Sequence, residues 1–231
     1  LERYESVRPA DSNAAARWFN LGDRDLATHF YRTARLAEGA TLTEVTDEIR
    51  RAWNVPIRVL PMSNDRISTL VTVDTASGTP EQGKEISFQD YFVRLRHGVA
   101  LSSIRFDGNA ALTAEARSSL VDASCVVIAP SNPLVSIGPI RSLDGVDDVL
   151  ADRREHVVAV SPIVGGAAIK GPADRMLIEL GHDPSVVGVA ELYAPIASTL
   201  VIDTIDAHHA DAVEAVGMRC VVTDTVMATP A

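Results

Sequence analysis

From residue 113 onward, short unbroken apolar runs rich in β-branched residues alternate with stretches of helical pattern. The runs are Cys125 to Ala129, Val157 to Val160, Val186 to Val189, Leu200 to Asp203 and Cys220 to Val222. Helical stretches fall between them near residues 143–151, 172–181 and 207–216. A strand that is apolar on both faces must be covered on both, the situation of a parallel sheet flanked by helices. The expected fold class is therefore α/β, with a doubly wound, mostly parallel, Rossmann-like sheet. Ligands of such sheets bind beyond the carboxyl ends of the strands, so the loops at those ends are where chemistry is to be sought.

The first half of the chain reads differently. Residues 14–37 have helical pattern broken at Gly22, and residues 42–53 form a second helix ended near Pro56, with Thr43 as its expected cap. Strand-like runs follow at Ile57 to Leu60, Thr69 to Asp74 and Ile86 to Arg96, with another around Ile104. The turn-rich segment Thr75 to Gly83 joins the second and third, which predicts an antiparallel excursion. One structural domain in three parts is expected: a helical insertion over 1–56, an antiparallel β excursion over 57–112 and a parallel α/β part over 113–231.

A chain of 231 residues can bury roughly 70% of its unfolded surface, enough for its own core. No run approaches the ~18 apolar residues of a membrane span, and no signal peptide pattern opens the chain, so a cytoplasmic protein that does not engage membranes is expected. Acidic residues outnumber basic ones by 31 to 21 without any basic stripe, which argues against nucleic acid as a partner. The basic residues are 19 Arg and only 2 Lys, Lys84 and Lys170. An acidic, lysine-poor surface suits high salt and favours a halophilic source such as an archaeon; a high-GC genome gives the same bias. Cys125 and Cys220 lie in apolar runs and are expected to be reduced and buried. The chain opens on Leu1 and closes on Met-Ala-Thr-Pro-Ala, and a fragment at both ends is expected.

Two loops carry chemistry. Ala129-Pro130-Ser131-Asn132-Pro133-Leu134-Val135-Ser136-Ile137-Gly138-Pro139-Ile140 leaves one strand with two hydroxyls, an amide side chain and several backbone N–H groups near an expected helix start. Unpaired amides and the helix dipole both favour a phosphate there, and three prolines stiffen the loop. Ser-Asn-Pro is also ordinary turn material. Val160-Ser161-Pro162-Ile163-Val164-Gly165-Gly166-Ala167-Ala168-Ile169-Lys170-Gly171-Pro172 leaves the next strand in the same way. Its glycines permit close backbone approach and Lys170 can supply a point charge. It is neither a G-x-G-x-x-G fingerprint nor a P-loop. A functionless flexible loop fits it as well, but two such loops after successive strands make a shared phosphate site the better reading.

A third segment, Asn20 to His29, offers Asp23 as a helix cap and then Asp25, Thr28, His29 and Arg32 on one polar face. That face is either solvated or packed, and the neighbouring Trp18, Phe19 and Phe30 argue for packing. Asp206, His208, His209 and Asp211 make a poor metal site, because adjacent histidines at a helix start are expected to project apart. Asp144, Asp147 and Asp148 suit a first helical turn.

Six motifs together resemble the 2-phospho-L-lactate transferase family: Leu-Gly-Asp-Arg-Asp-Leu-Ala-Thr-His (21–29), Leu-Pro-Met-Ser-Asn-Asp (60–65), Phe-Gln-Asp-Tyr-Phe-Val (88–93), Ala-Pro-Ser-Asn-Pro with Ser-Ile-Gly-Pro-Ile (129–140), Val-Ser-Pro-Ile-Val-Gly (160–165) and Gly-Pro-Ala (171–173). Asp-Thr-Val-Met (224–227) adds a seventh. The resemblance implies transfer of a 2-phospholactyl or phosphoenolpyruvyl group from a guanosine diphosphate-type donor to the terminal ribityl hydroxyl of the deazaflavin Fo, in coenzyme F420 biosynthesis. GMP would be released, Mg²⁺ required, and the protein a homodimer. Ser131, Asn132, Ser136, Gly138, Ser161 and Gly165 would then cradle the donor's diphosphate and guanosine. Asp23, Arg24, Asp25, Thr28 and His29 would shape the acceptor side, with His29 or Asp25 taking the hydroxyl proton. Asn20 occupies a position resembling one that contacts the deazaflavin, where Lys is common in the family. The family's glycine-rich N-terminal strand-loop and the aspartates that hold its metal have no counterpart here, so no metal ligand is assigned within this chain.

The rival from another class is a non-enzymatic nucleotide-sugar-binding regulator of the same superfamily. Such proteins tend to carry Gly-Asp-Gly-Asn where this chain has Gly22-Asp23-Arg24-Asp25, which favours the transferase. A nicotinamide-dependent enzyme ranks lower, because its glycine fingerprint is missing.

Overall fold

The computed structural model describes residues 21–226, together with Val7 and Pro9. It opens with helix α1 (Asp23–Ala37) and helix α2 (Leu42–Ala52). The cap of α2 is Thr41 rather than Thr43: its hydroxyl accepts from the Glu44 amide, and the Glu44 carboxylate accepts from the Thr41 amide at 2.8 Å. This reciprocal pairing requires Glu three residues after the cap, which the 43-position cannot provide. Thr43 instead bonds to Asn64 Oδ1 through its amide and its hydroxyl. None of the residues in α1 is buried, and Phe30 is 71% exposed. Packing inferred from Phe30 is therefore not found; Trp18 and Phe19 lie outside the described residues.

The antiparallel excursion is a three-stranded sheet ordered β2-β1-β3, made of β1 (Ser68–Val73), β2 (Glu85–Ser87) and β3 (Leu101–Asp107). Ile57 to Leu60 forms no strand. The run expected as a strand from Ile86 to Arg96 leaves the sheet after Ser87 and coils into a π-helical turn over Asp90–Arg94. Asp90 is the physical reason. Its carboxylate accepts from the Ser87 hydroxyl at 2.6 Å and from Arg94 Nε at 2.8 Å, bonds that close a turn and cannot be made in an extended chain.

The second half holds α3 (Ala114–Asp122), β4 (Val126–Ile128), a π-helical turn (Pro133–Ile137), α4 (Gly138–Arg141), α5 (Val146–Asp152) and β5 (Val157–Val160). It continues through the small ribbon β6 (Ile163–Val164) and β7 (Ala167–Ala168), then α6 (Ala173–Glu179), α7 (Val186–Tyr193), β8 (Thr199–Ile202), α8 (Ala210–Ala215) and β9 (Arg219–Val222). Strands β4, β5, β8 and β9 form a parallel sheet in that spatial order, so the α/β class holds. Ile128, Val157, Ala159, Leu200 and Ile202 form one buried core with Val146 and Leu150 of α5, Val189 and Tyr193 of α7 and Val213 of α8. The alternate residues point to the opposite face, where Val127 is 62% exposed. Cys125, expected to be buried, is exposed because it precedes the edge strand β4; Cys220 is half-buried.

Val186 to Val189 was expected to be a strand and is the first half of α7. The Ser185 hydroxyl accepts from the Val187 amide and starts the helix. A short all-apolar stretch of helix reads like a buried strand, since neither shows a polar period. Gly188 lets α7 press against the preceding turn, for a Cβ there would lie 2.0 Å from the Asp183 carbonyl oxygen. Backbone cannot yield as a flexible side chain can, so Gly188→Ala should lower stability by about 2 kcal/mol. Urea denaturation reads this directly, and an unchanged midpoint would show that α7 has slack at this point.

Candidate functional site: a cleft at the carboxyl rim of the sheet

Parallel pairing of β4, β5, β8 and β9 sends the chain out of all four strands at the same rim. A cleft of about 480 Å³ lies there, lined by Ser131, Asn132 and Ser136 from the loop after β4 and by Ser161, Lys170 and Gly171 from the loop after β5. Thr225 and Val226, just beyond β9, close one side, and Phe88 and Phe92 of the antiparallel excursion form an apolar wall. The two sequence-derived loops thus meet at one site.

Their residues are not equally free. Asn132 Oδ1 accepts from the Leu134 amide at 2.9 Å and the Val135 amide at 3.3 Å. The amides expected to receive a phosphate are therefore consumed by a side-chain cap, and Asn132 is first a turn-former. Ser161 is 2% exposed, and its hydroxyl both accepts from the Ile163 amide and donates to the Ile163 carbonyl. The Gly165 amide donates to Asp206 Oδ2 at 2.9 Å, and Gly165 is not among the residues lining the cleft. Gly138 lines a separate hollow of about 440 Å³ with Phe106, Arg141 and Leu192. Within the cleft, Ser131 and Ser136 carry hydroxyls with no side-chain hydrogen bond among the described residues. Lys170 is exposed, and no carboxylate of the described residues pairs with it.

The presumed acceptor group does not reach this cleft. Asp23, Arg24, Asp25, Thr28 and His29 lie on α1, none of them lining it. Most are engaged locally: Asp25 accepts from the Gly22 amide, Asp23 from the Arg24 amide, and the Thr28 hydroxyl donates to the Arg24 carbonyl. The Arg24 guanidinium sits 5.8 Å from the Trp53 ring centre. Asn20 lies outside the described residues. His208 and His209, expected to project apart, have ring centres 4.1 Å from each other, because a 3₁₀ turn over Thr204–His209 carries both. Among the described residues no three of His, Cys, Asp and Glu gather as a metal site.

Sequence reasoning missed the residue that holds one wall in place. Asp203 follows β8 directly and sits 7% exposed; its Oδ2 accepts from the Thr225 amide at 2.8 Å and the Thr225 hydroxyl at 3.0 Å. Its Oδ1 accepts from the Ile205 amide at 3.1 Å. The Thr225 amide first, then the Ile205 amide, hold the Asp203 carboxyl at about 2, well below the ordinary carboxylate. The only sequence signal was an aspartate just after one apolar strand and a threonine three residues past the last one.

A helix-backed parallel sheet with a largely apolar cleft, bearing a few polar groups, at its carboxyl rim defines a ligand-binding α/β protein. The chain belongs to the family described as 2-phospho-L-lactate transferase CofD, whose sequence profile matches residues 4–228. It is 39% identical over 206 residues to the phosphoenolpyruvate transferase of Streptomyces griseus, covering 88% of this chain and 64% of that protein. It is 38% identical over 200 residues to the 2-phospho-L-lactate transferase of Halobacterium salinarum, covering 86% of this chain and 56% of that protein. The chain thus spans less than two thirds of the length of these curated relatives. Its fold is similar to the crystal structure of a Bacillus halodurans protein, with a TM-score of 0.60 at 14% identity over 97% of this chain and 71% of that one. No helix among the described residues is long and apolar enough to cross a membrane.

The low Asp203 value fixes a pH dependence. A carboxyl lowered by folding stabilises the folded state fully above its unfolded value, and that stabilisation is lost as pH falls through the folded value. Protection of the Thr225 amide from hydrogen exchange, corrected for intrinsic rate, should hold from neutrality to about pH 4 and decline toward about pH 2. Asp203→Asn should weaken it above about pH 4 and remove the decline toward about pH 2. Equal protection in the variant would mean that Thr225 is held by something else.

Proposed function

We propose that the protein is a transferase of coenzyme F420 biosynthesis, moving a 2-phospholactyl or phosphoenolpyruvyl group from a guanosine diphosphate-type donor to the terminal hydroxyl of Fo and releasing GMP. The observation that carries this reading is the convergence of the loops after β4 and β5 on one rim cleft bearing two free hydroxyls and Lys170. Membership of a family whose relatives bear transferase names supports it.

Displacement at phosphorus builds negative charge on non-bridging and leaving oxygens, so catalysis rests on positioning and on donors aimed at that charge. Lys170 supplies a mobile positive charge, and Ser131 and Ser136 supply hydroxyl donors from a loop stiffened by Pro130 and Pro133. Asn132 and Ser161 act one step back, fixing the backbone from which those groups project. A divalent cation, when bound, would neutralise further phosphate charge, but the described residues do not assemble its ligands. The acceptor is assigned to the neighbourhood of α1 by resemblance alone.

Ser131→Ala and Lys170→Ala should each weaken donor or GMP binding about tenfold, the loss of a charge-assisted hydrogen bond. Asn132→Ala should in addition destabilise the fold by about 1 kcal/mol, as a lost cap does. Calorimetric titration of the intact protein, beside a transfer assay with Fo, makes the measurement. Wild-type affinity in both Ser131→Ala and Lys170→Ala would remove the phosphate cradle, and binding of UDP-sugars in place of Fo and GMP would favour the regulator reading.

A further inference from the structure

The cleft has an aromatic wall that phosphate chemistry does not use. Phe88 and Phe92 stack with ring centres 5.5 Å apart and planes inclined by 23°. Phe88 leans on the buried Tyr91 at 6.0 Å and packs against the core of the excursion. Phe92 faces outward, 40% exposed, with His97 at 5.5 Å on its flank. A Cβ on Gly171 would come within 4.0 Å of the Phe92 ring, so the second loop reaches the shelf with no side chain in the way.

The shelf is also rigid. Phe92 sits in the π-helical turn, a conformation that is rare and gathers at functional sites. Asp90 closes that turn through Ser87 and Arg94. The Tyr91 hydroxyl accepts from Arg175 at 2.8 Å, and the Leu101 amide donates to Glu179 Oε2 at 3.0 Å, so α6 ties the excursion to the loop that carries Lys170. A single exposed phenylalanine is ordinary on a protein surface. Here the exposed ring is braced from behind by a second ring and shares one cleft with two hydroxyls and a lysine. A braced aromatic face beside hydroxyls and a lysine suits a ring-bearing phosphate compound, because stacking exploits the π-face of any planar heterocycle.

We propose that the Phe88–Phe92 shelf stacks on the planar heteroaromatic ring of the ligand in the rim cleft, and that Phe92 is its contact residue and a determinant of which ligand is held. This rests on the transferase reading, under which the ring is either the guanine of the donor or the deazaflavin of Fo.

The test compares the intact wild-type protein with Phe92→Leu, which keeps apolar bulk but loses the ring, and Phe92→Trp, which restores one. Each is titrated separately with GMP and with Fo, following heat and the hypochromic absorbance change that accompanies ring stacking. Thermal unfolding of each variant reports the state of the fold. The expected result is about a tenfold weaker affinity and a lost hypochromic change in Phe92→Leu, both restored in Phe92→Trp. Whichever ligand shows the loss is the one on the shelf. Wild-type binding with equal affinity in Phe92→Leu would overturn the shelf while leaving the transferase reading standing, as would a loss that Phe92→Trp does not restore. Failure of the wild-type protein to bind either ligand would overturn both.

Discussion

Parallel strand pairing is the constraint on which the rest of this structure depends. The register Ile128 to Ala159 and Val160 to Val201 aligns the ends of β4, β5 and β8, and Ile202 to Val222 adds β9. Because parallel strands all run the same way, their exits cannot be distributed between two rims. Loops far apart in sequence must therefore meet, and residues 131, 170 and 225 come to line one cleft. The buried face of the same strands, through Leu200 and Ile202, anchors the helices that connect them. One hydrogen-bonded ladder thus positions both the core and the site.

The parts of this architecture that were legible in the sequence are those where burial and conformation agree. Val157 to Val160 and Leu200 to Ile202 are apolar because they are the two central strands of the sheet, and pattern identifies them; Cys220 to Val222, on the edge strand β9, carries the same apolar pattern. The failures occur where a local side-chain bond overrides pattern. Val186 to Val189 has strand composition, yet the Ser185 cap and the close approach at Gly188 make it helix. Phe88 to Val93 has strand composition, yet Asp90 folds it into a tight turn. Within the site, Ser131 and Ser136 could be read from the sequence as hydroxyls on a loop. That Asn132 and Ser161 are spent on their own backbones could not, because the sequence does not say which polar groups are already satisfied.

The antiparallel excursion becomes intelligible in the same terms. Among the described residues, the rim of the parallel sheet supplies hydroxyls, Lys170 and aliphatic residues such as Val135 and Ile169, but no aromatic ring. The three-stranded sheet is joined to the rim through α6, by Met176 in its core and by Arg175 and Glu179 at its edge. It therefore presents its aromatic turn to the cleft from outside the parallel sheet. The aromatic wall of the site thus comes from a different structural layer than its hydroxyls and lysine, and a long segment of sequence separates them.

The charges at the rim complete the arrangement. A protein with a formal charge of −10 repels phosphate at long range, and an exposed lysine alone offsets little of that in a high dielectric. What matters is the local sign. Asp203 and Asp206, which follow β8, are buried and turned onto backbone amides: Asp203 onto Thr225 and Ile205, Asp206 onto Gly165. Each amide spreads positive partial charge over a carboxylate that would otherwise oppose a phosphate at the rim. The same bonds that fix the loop after β5 and the segment after β9 therefore mask these two carboxylates, and among the described residues Lys170 is the charged side chain that lines the cleft.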